Sequence, residues 1–255
     1  MTEKKAPRLR TVNKSLPPYE LNKFPNDFAF KLGRELVYLL ATKGNPTLEG
    51  SEWEEIFANC IGAKWKPSNV GLDDVVLGSC AWGAKTVKAK KPAVQKTVRL
   101  ISGRNSPVYS FGEKQIAEVN PDHLGSQVLE IWNERVSAIR KLYKFVRTVV
   151  LLKSDNLDEV AVFEYDTVRF DQELYEWKWN ERGNLEGYLK RTKEHCFTWQ
   201  PHGSQFTIIE EVPDDSLVIK IRIPKRIDKE ELLQTIGFDN SWVTTSLNRG
   251  FATSG

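Results

Sequence analysis

Four apolar runs of strand length crowd the rear half of the chain: "FVRTVVLL" (145–152), "EVAVFEY" (159–165), "QFTIIE" (205–210) and "LVIKIRI" (217–223). Strands of this kind must bury at least one face against another layer. Helical patterns stand earlier in the sequence. "DFAFKLGRELVYLLATKG" (27–44) repeats Phe28, Leu32, Leu36 and Leu39–Leu40 at helical spacing and ends at Gly44. "TLEGSEWEEIFANCIGAK" (47–64) offers Ser51 as an N-cap with Glu54 three residues on, the capping-box spacing, and Gly62 as a stop. "GSQVLEIWNERVSAIRKL" (125–142) aligns Val128, Ile131, Trp132 and Ile139 on one helical face. A short helix is expected near 228–236. The sum is a mixed α/β fold with a β-rich C-terminal extension.

Between the early helices and the central one the pattern turns to strands. "DDVVLGS" and "AWGAKTVK" read as a hairpin reversing at Gly78–Ser79, and "KTVRLISG" (96–103) as a third strand. The hairpin sets Asp73 and Asp74 just ahead of Lys85. Side chains alternate across a strand, so one of the two acids stands beside Lys85 on the same face. Asp74 is the choice and Asp73 its rival. A carboxylate with a neighbouring lysine suits phosphodiester hydrolysis: Mg²⁺ takes carboxylate oxygens, and the lysine orients a water and holds a phosphate oxygen. A third acid would share the metal. Position 83, two before Lys85, is a glycine, so the acid must come from the helix before, as Glu54 or Glu55. Glu55 is preferred because Glu54 already occupies the capping-box position. The plainer alternative is that the two aspartates cap a turn and Lys85 is a solvated strand lysine.

Charge supports a polyanionic partner locally rather than globally. The 255 residues carry a formal charge of only +3, with 40% hydrophobic and 28% charged residues. Yet no Asp or Glu stands between Val75 and Gly112, while Lys85, Lys88, Lys90, Lys91, Lys96, Arg99 and Arg104 all do. A one-signed stretch of that length fits a phosphate-facing surface; a basic face balanced by acids in 155–186 is the alternative. Within it, "SGRNS" brings Arg104, Asn105 and Ser106 into a turn suited to phosphate or base-edge contacts. "EHCFTWQPHGSQF" (194–206) reads either as a loop facing base edges or as a rim of the core. Three cysteines (Cys60, Cys80, Cys196) without metal-ligand spacing argue against a disulfide scaffold. No apolar leader opens the sequence and no run spans a bilayer, so a cytoplasmic protein is expected. Walker A and GxGxxG motifs are absent.

An acid-bearing helix ("SEWEEIFANCIGA"), an Asp strand ("GLDDVV") and an xxK strand ("WGAKTVK") follow in the order seen in type II restriction endonucleases of the PD-(D/E)xK superfamily. The chain resembles that family over about residues 27 to 110. The layout is also similar to that of the superfamily's mismatch-repair nicking endonuclease. The resemblance implies a restriction-endonuclease-like mixed β-sheet core flanked by helices. It assigns Asp74, Lys85 and Glu55 as catalytic residues, and Asp74, Glu55 and Asp73 as Mg²⁺ ligands. DNA contacts fall to Lys88, Lys90, Lys91, Arg104, Asn105 and Ser106. The implied activity is sequence-specific, Mg²⁺-dependent cleavage of double-stranded DNA leaving 5′-phosphate ends. A homodimer and a genetically linked cognate DNA methyltransferase go with it. Two features depart from the pattern: Gly83 stands where an acid or polar residue is usual, and Asp73 stands where the motif has proline. The domain layout expected is a flexible basic arm over 1–22 and an endonuclease domain over 23–255, with a catalytic core over about 27–152 and recognition elements over about 153–255. The competing functions are a non-catalytic DNA-binding protein, which Gly83 favours, and a repair or mismatch-type nicking nuclease.

Overall fold

A computed structural model describes residues 15–43, 45–67 and 71–245. In chain order the elements are α1 (Phe28–Thr42), α2 (Gly50–Ile61), β1 (Lys64–Trp65), β2 (Val75–Leu77), β3 (Cys80–Lys88), β4 (Thr97–Arg104), α3 (Pro107–Phe111), α4 (Pro121–Leu142), β5 (Phe145–Lys153), β6 (Glu159–Asp166), β7 (Tyr175–Trp179), β8 (Leu185–Leu189), β9 (His195–Gln200), β10 (Gln205–Glu211), β11 (Leu217–Lys220) and α5 (Lys229–Thr235). The fold is mixed α/β, built on two sheets. The first has six strands in the order β1-β2-β3-β5-β6-β11, the second five in the order β4-β10-β9-β8-β7. All pairings are antiparallel except β3 with β5. Parallel neighbours need a crossover, and here β4, α3 and α4 supply it.

Period-two alternation explains the layering. Cys80, Trp82 and Ala84 of β3, with Val149 and Leu151 of β5, point to α1 and α2, where they bury Phe28, Leu32, Leu36, Trp53 and Phe57. Ala81 and Val146 point the other way, onto Leu124, Val128 and Trp132 of α4. The far side of α4 is closed by Trp177, Phe197, Trp199 and Phe206 of the second sheet. Beyond the reach of α4 the two sheets meet directly, Val98 and Leu100 packing on Val150, Leu152 and Phe163. β5 is therefore buried on both faces, each large apolar side chain contributing on the order of 1.5–3 kcal/mol.

Local signals act as expected at most ends, and one is displaced. α1 buries Phe28, Leu32, Leu36 and Leu39, and Gly62 closes α2 at φ 68°. The capping box of α2, however, pairs Glu49 with Glu52 rather than Ser51 with Glu54. The helix starts two residues earlier than the Ser-x-x-Glu spacing indicated, which releases Glu54 from any capping duty. "EHCFTWQPHGSQF" is likewise not a loop: it forms β9 and the start of β10, with Phe197, Trp199 and Phe206 in the core. Asn120 extends α4 by a turn, its side chain accepting from the Asp122 and His123 amides.

The expected division into arm, core and extension is redrawn in two places. Residues 1–14 lie outside the described residues, but Tyr19 and Asn22 of the supposed arm are packed. The Tyr19 hydroxyl donates to Glu164 Oε1 (2.8 Å), and the Glu164 amide donates to Asn22 Oδ1 (2.6 Å). Arg147 donates to the Tyr19 carbonyl (2.9 Å) and to Glu164 Oε2 (3.1 Å), and Trp82 Nε1 also donates to Glu164 (2.6 Å). A buried carboxylate requires such partners, so this N-terminal segment is part of the sheet's cover. Nor does the chain divide near 152: β4 leaves the front half to pair with β10, and β11 returns from the rear to pair with β6. Among the described residues no helix is long and apolar enough to cross a membrane.

Candidate carboxylate–lysine site

Asp74 precedes β2, and the β2–β3 register (Val75 with Trp82) carries it alongside Gly83 and Ala84. The residue is 3% exposed, and the bond given to its carboxylate by the Ala84 amide is long, 3.4 Å to Oδ2. Burial pushes its pKa up to about 6, and the negative charges of Glu54 and Asp73 add to that; Lys85 and the Ala84 amide oppose it. Lys85 projects from the same hairpin, its Nζ 3.4 Å from the Gly71 carbonyl oxygen. Desolvation holds its pKa below the usual lysine range, and the Arg135 charge adds to the effect, while Asp74 and Glu54 resist it. The pair is thus an acid and a base each pushed toward neutrality by burial, a pattern concentrated at functional sites.

The helical acid beside this pair is Glu54. It is half-buried on α2, accepts a hydrogen bond from Trp65 Nε1 (3.1 Å), and acts electrostatically on both Asp74 and Lys85. Glu55, the expected choice, is exposed on the next position round the helix. The preference for it rested on Glu54 being committed to a cap, and the cap is elsewhere. Asp73 is also buried, but its Oδ2 pairs with Lys66 at 3.0 Å, while its Oδ1 has no hydrogen-bond partner among the described residues.

Gly83 has a steric cause. A Cβ there would lie 2.7 Å from the Gly71 carbonyl oxygen and 3.2 Å from the Leu72 Cα. The Gly71–Leu72 backbone lies against the strand at this point, and no side chain, acidic or otherwise, fits without moving it.

Arg135 of α4 completes the cluster and was not among the expected residues. Its Nη1 donates to the Ser102 carbonyl (2.8 Å) and to Asn105 Oδ1 (3.1 Å), and its guanidinium lies 5.6 Å from the Trp132 ring centroid. Burial lowers its pKa, and Asp74 counteracts. Gly103, at φ 125°, passes so close that a Cβ would fall onto the guanidinium. The signal was available: Arg135 lies seven residues after Val128, three after Trp132 and four before Ile139, inside the apolar stripe of α4. An arginine in such a stripe is an anomaly that asks for a partner.

The expected DNA contacts separate into two groups. Lys88, Lys90, Lys91 and Arg104 are exposed. Asn105 is wholly buried, donating to the Val128 carbonyl (2.9 Å) while accepting from Arg135, so its side chain is unavailable to a base edge. Ser106 caps α3 by accepting from the Tyr109 amide. The "SGRNS" turn thus holds Arg135 through the Ser102 carbonyl and Asn105 and leaves Arg104 exposed. Lys88 projects to the opposite face of β3 from Lys85, beside Lys153. Arg99 donates to Thr198 Oγ1 (2.7 Å) across the second sheet. The acid-free run therefore does not form one continuous basic face.

Among the described residues no three His, Cys, Asp or Glu side chains converge tightly enough to hold a metal by themselves. Mg²⁺ does not require that: it is commonly held by one or two carboxylates, with water and substrate phosphate completing the shell. Asp74 and Glu54 are hard oxygen donors whose mutual repulsion a cation would relieve, so the donor chemistry fits. Comparison with protein-family models, with curated proteins and with solved structures finds no match to this chain.

Proposed function

We propose that this chain is a Mg²⁺-dependent endonuclease acting on double-stranded DNA, with a restriction-endonuclease-like core. The observation that carries the proposal is the Asp74–Lys85 pair on one hairpin, both groups perturbed by burial and flanked by Glu54 and Arg135. Asp74 and Glu54 would hold the cation. When bound, it would acidify a water and neutralise charge developing on phosphorus. Lys85 would orient the attacking water, accepting from it in the neutral form that its lowered pKa favours, and in its charged form would hold a non-bridging phosphate oxygen. Arg135 keeps a second positive charge over Asp74, compensating the crowded acids. Water adds to phosphorus, the 3′-oxygen leaves and takes a proton, and the products are a 5′-phosphate and a 3′-hydroxyl.

Exposed Lys88, Lys90, Lys91 and Arg104 would neutralise backbone phosphates. Sequence reading would fall to the rear of the chain and to α3, whose Val108, Tyr109 and Phe111 stand exposed just after the Arg135-holding turn. A cognate DNA methyltransferase would accompany such an enzyme.

The test is digestion of several unmodified duplex DNAs with Mg²⁺, with EDTA, and with the Lys85→Ala protein. Discrete fragments that require Mg²⁺ and disappear in the variant support a specific endonuclease. Nicks at distorted or mismatched sites alone support a repair nuclease. Tight binding without cutting supports a DNA-binding protein, the alternative that the crowded position 83 favours.

A further inference from the structure

No residue from Ile221 to Thr245 is buried, although the stretch includes a formed helix, α5. Asp228 caps α5 by accepting from the Glu230 and Glu231 amides, yet Leu232 is 40% and Ile236 50% exposed. Phe238 and Trp242 touch each other edge to face, with ring centroids 5.7 Å apart, and the latter is 58% exposed. A seven-residue helix has little stability of its own in water, and an apolar surface of this extent marks a contact site.

A matching surface lies on the body of the protein. The outer side of α1 exposes Phe30 (80%) and Tyr38 (68%). Together with β11, the edge strand of the first sheet, it forms an open groove of about 990 Å³. Arg34, Lys220 and Arg222 outnumber Glu35 around it, whereas at the start of α5 Asp228, Glu230 and Glu231 outnumber Lys229. The Ile227 amide donates to the Ala41 carbonyl at the C-terminal end of α1, 2.9 Å. The segment is therefore tethered at the groove's end, while Phe30 and Tyr38 within the groove stay uncovered.

We propose that the arm over 228–245 of one copy lies in the α1–β11 groove of a second copy, and reciprocally, forming a two-fold arm-exchanged dimer. Such a contact is isologous, so each arm meets an identical groove and the assembly closes at two. Acidic α5 meets the basic rim, and the apolar side of the arm covers Phe30 and Tyr38.

Sedimentation velocity over a wide concentration series tests this with the full chain, Tyr38→Asp and Trp242→Asp. Both positions are exposed, and circular dichroism checks that the variants fold. The expected result is a two-copy mass for the parent and at least tenfold weaker association for each variant. Mixing the two variants restores part of the association, because one intact arm then faces one intact groove. A single-copy mass for the parent at every concentration, including through an arm folded onto its own groove, overturns the proposal. So does a dimer that both variants leave unchanged. The readout is mass, so its failure is distinct from a failure to cut DNA.

Discussion

At Asp74 the folded chain holds a carboxylate whose ionised form is disfavoured. Its pKa rises from 3.8 to about 6, so the folded state binds the proton more tightly than the unfolded state does. The contribution of Asp74 to stability, with EDTA present, is then most favourable below pH 4 and is lost as pH rises through about 6. The deficit at pH 7 is about 3 kcal/mol. Asp74→Asn should recover a gain of that order at pH 7 and none at pH 4, measured by urea unfolding in EDTA, while abolishing Mg²⁺-dependent cleavage. A pH-independent effect would mean that the carboxylate is not held ionised against its surroundings. Gly83→Asp, which places an acid where PD-(D/E)xK nucleases usually carry one, should destabilise by about 1–3 kcal/mol by overpacking and should not raise activity. Asp74 and Lys85 were legible because strand alternation and hairpin spacing place them without reference to the rest of the fold. Glu54 was misjudged because a helix start can slide by two residues while keeping an acid at N3. Arg135 was overlooked because a charged residue in a helix is ordinarily taken as solvated.

Among elements, α2 supplies the acid beside Asp74 and Lys85, and its start decides which acid that is. Glu49→Ala removes the actual cap and should cost about 1 kcal/mol. Ser51→Ala should stay within about 0.5 kcal/mol, as a surface change does; thermal unfolding of both variants checks the assignment. α1, α2, α4 and the apolar strands β5, β6, β10 and β11 were readable from periodicity. β7, β8 and β9 were not, since "YEWKW", "LEGYL" and "HCFTWQ" mix aromatic and charged residues. In a sheet with only one buried face, that mixture is the proper alternation. Its meaning emerges only once α4 is present to be covered by Trp177, Phe197 and Trp199.

On the scale of the molecule, the segment before α1 is tied to a strand more than a hundred residues later. Tyr19→Phe removes a donor from the buried Glu164 carboxylate and should cost about 1.5–3 kcal/mol, measured by chemical denaturation. An unchanged midpoint would show that Glu164 is served by Trp82 and Arg147 alone. The interleaving of the two sheets was invisible in the sequence, because the strand pattern of β4 says nothing about which neighbour it chooses. Thr97 pairs with Glu211, and Arg104 with Gln205. Among the described residues β4 is an edge strand whose only sheet partner is β10. During synthesis at about 5–20 residues per second, β4 waits roughly 5–20 s for that partner to be made. Throughout that interval the nascent chain displays an unpaired ladder, and its final docking is a long-range closure of the kind that folds slowly. The carboxylate–lysine hairpin is thus made well before the sheet that braces it can close.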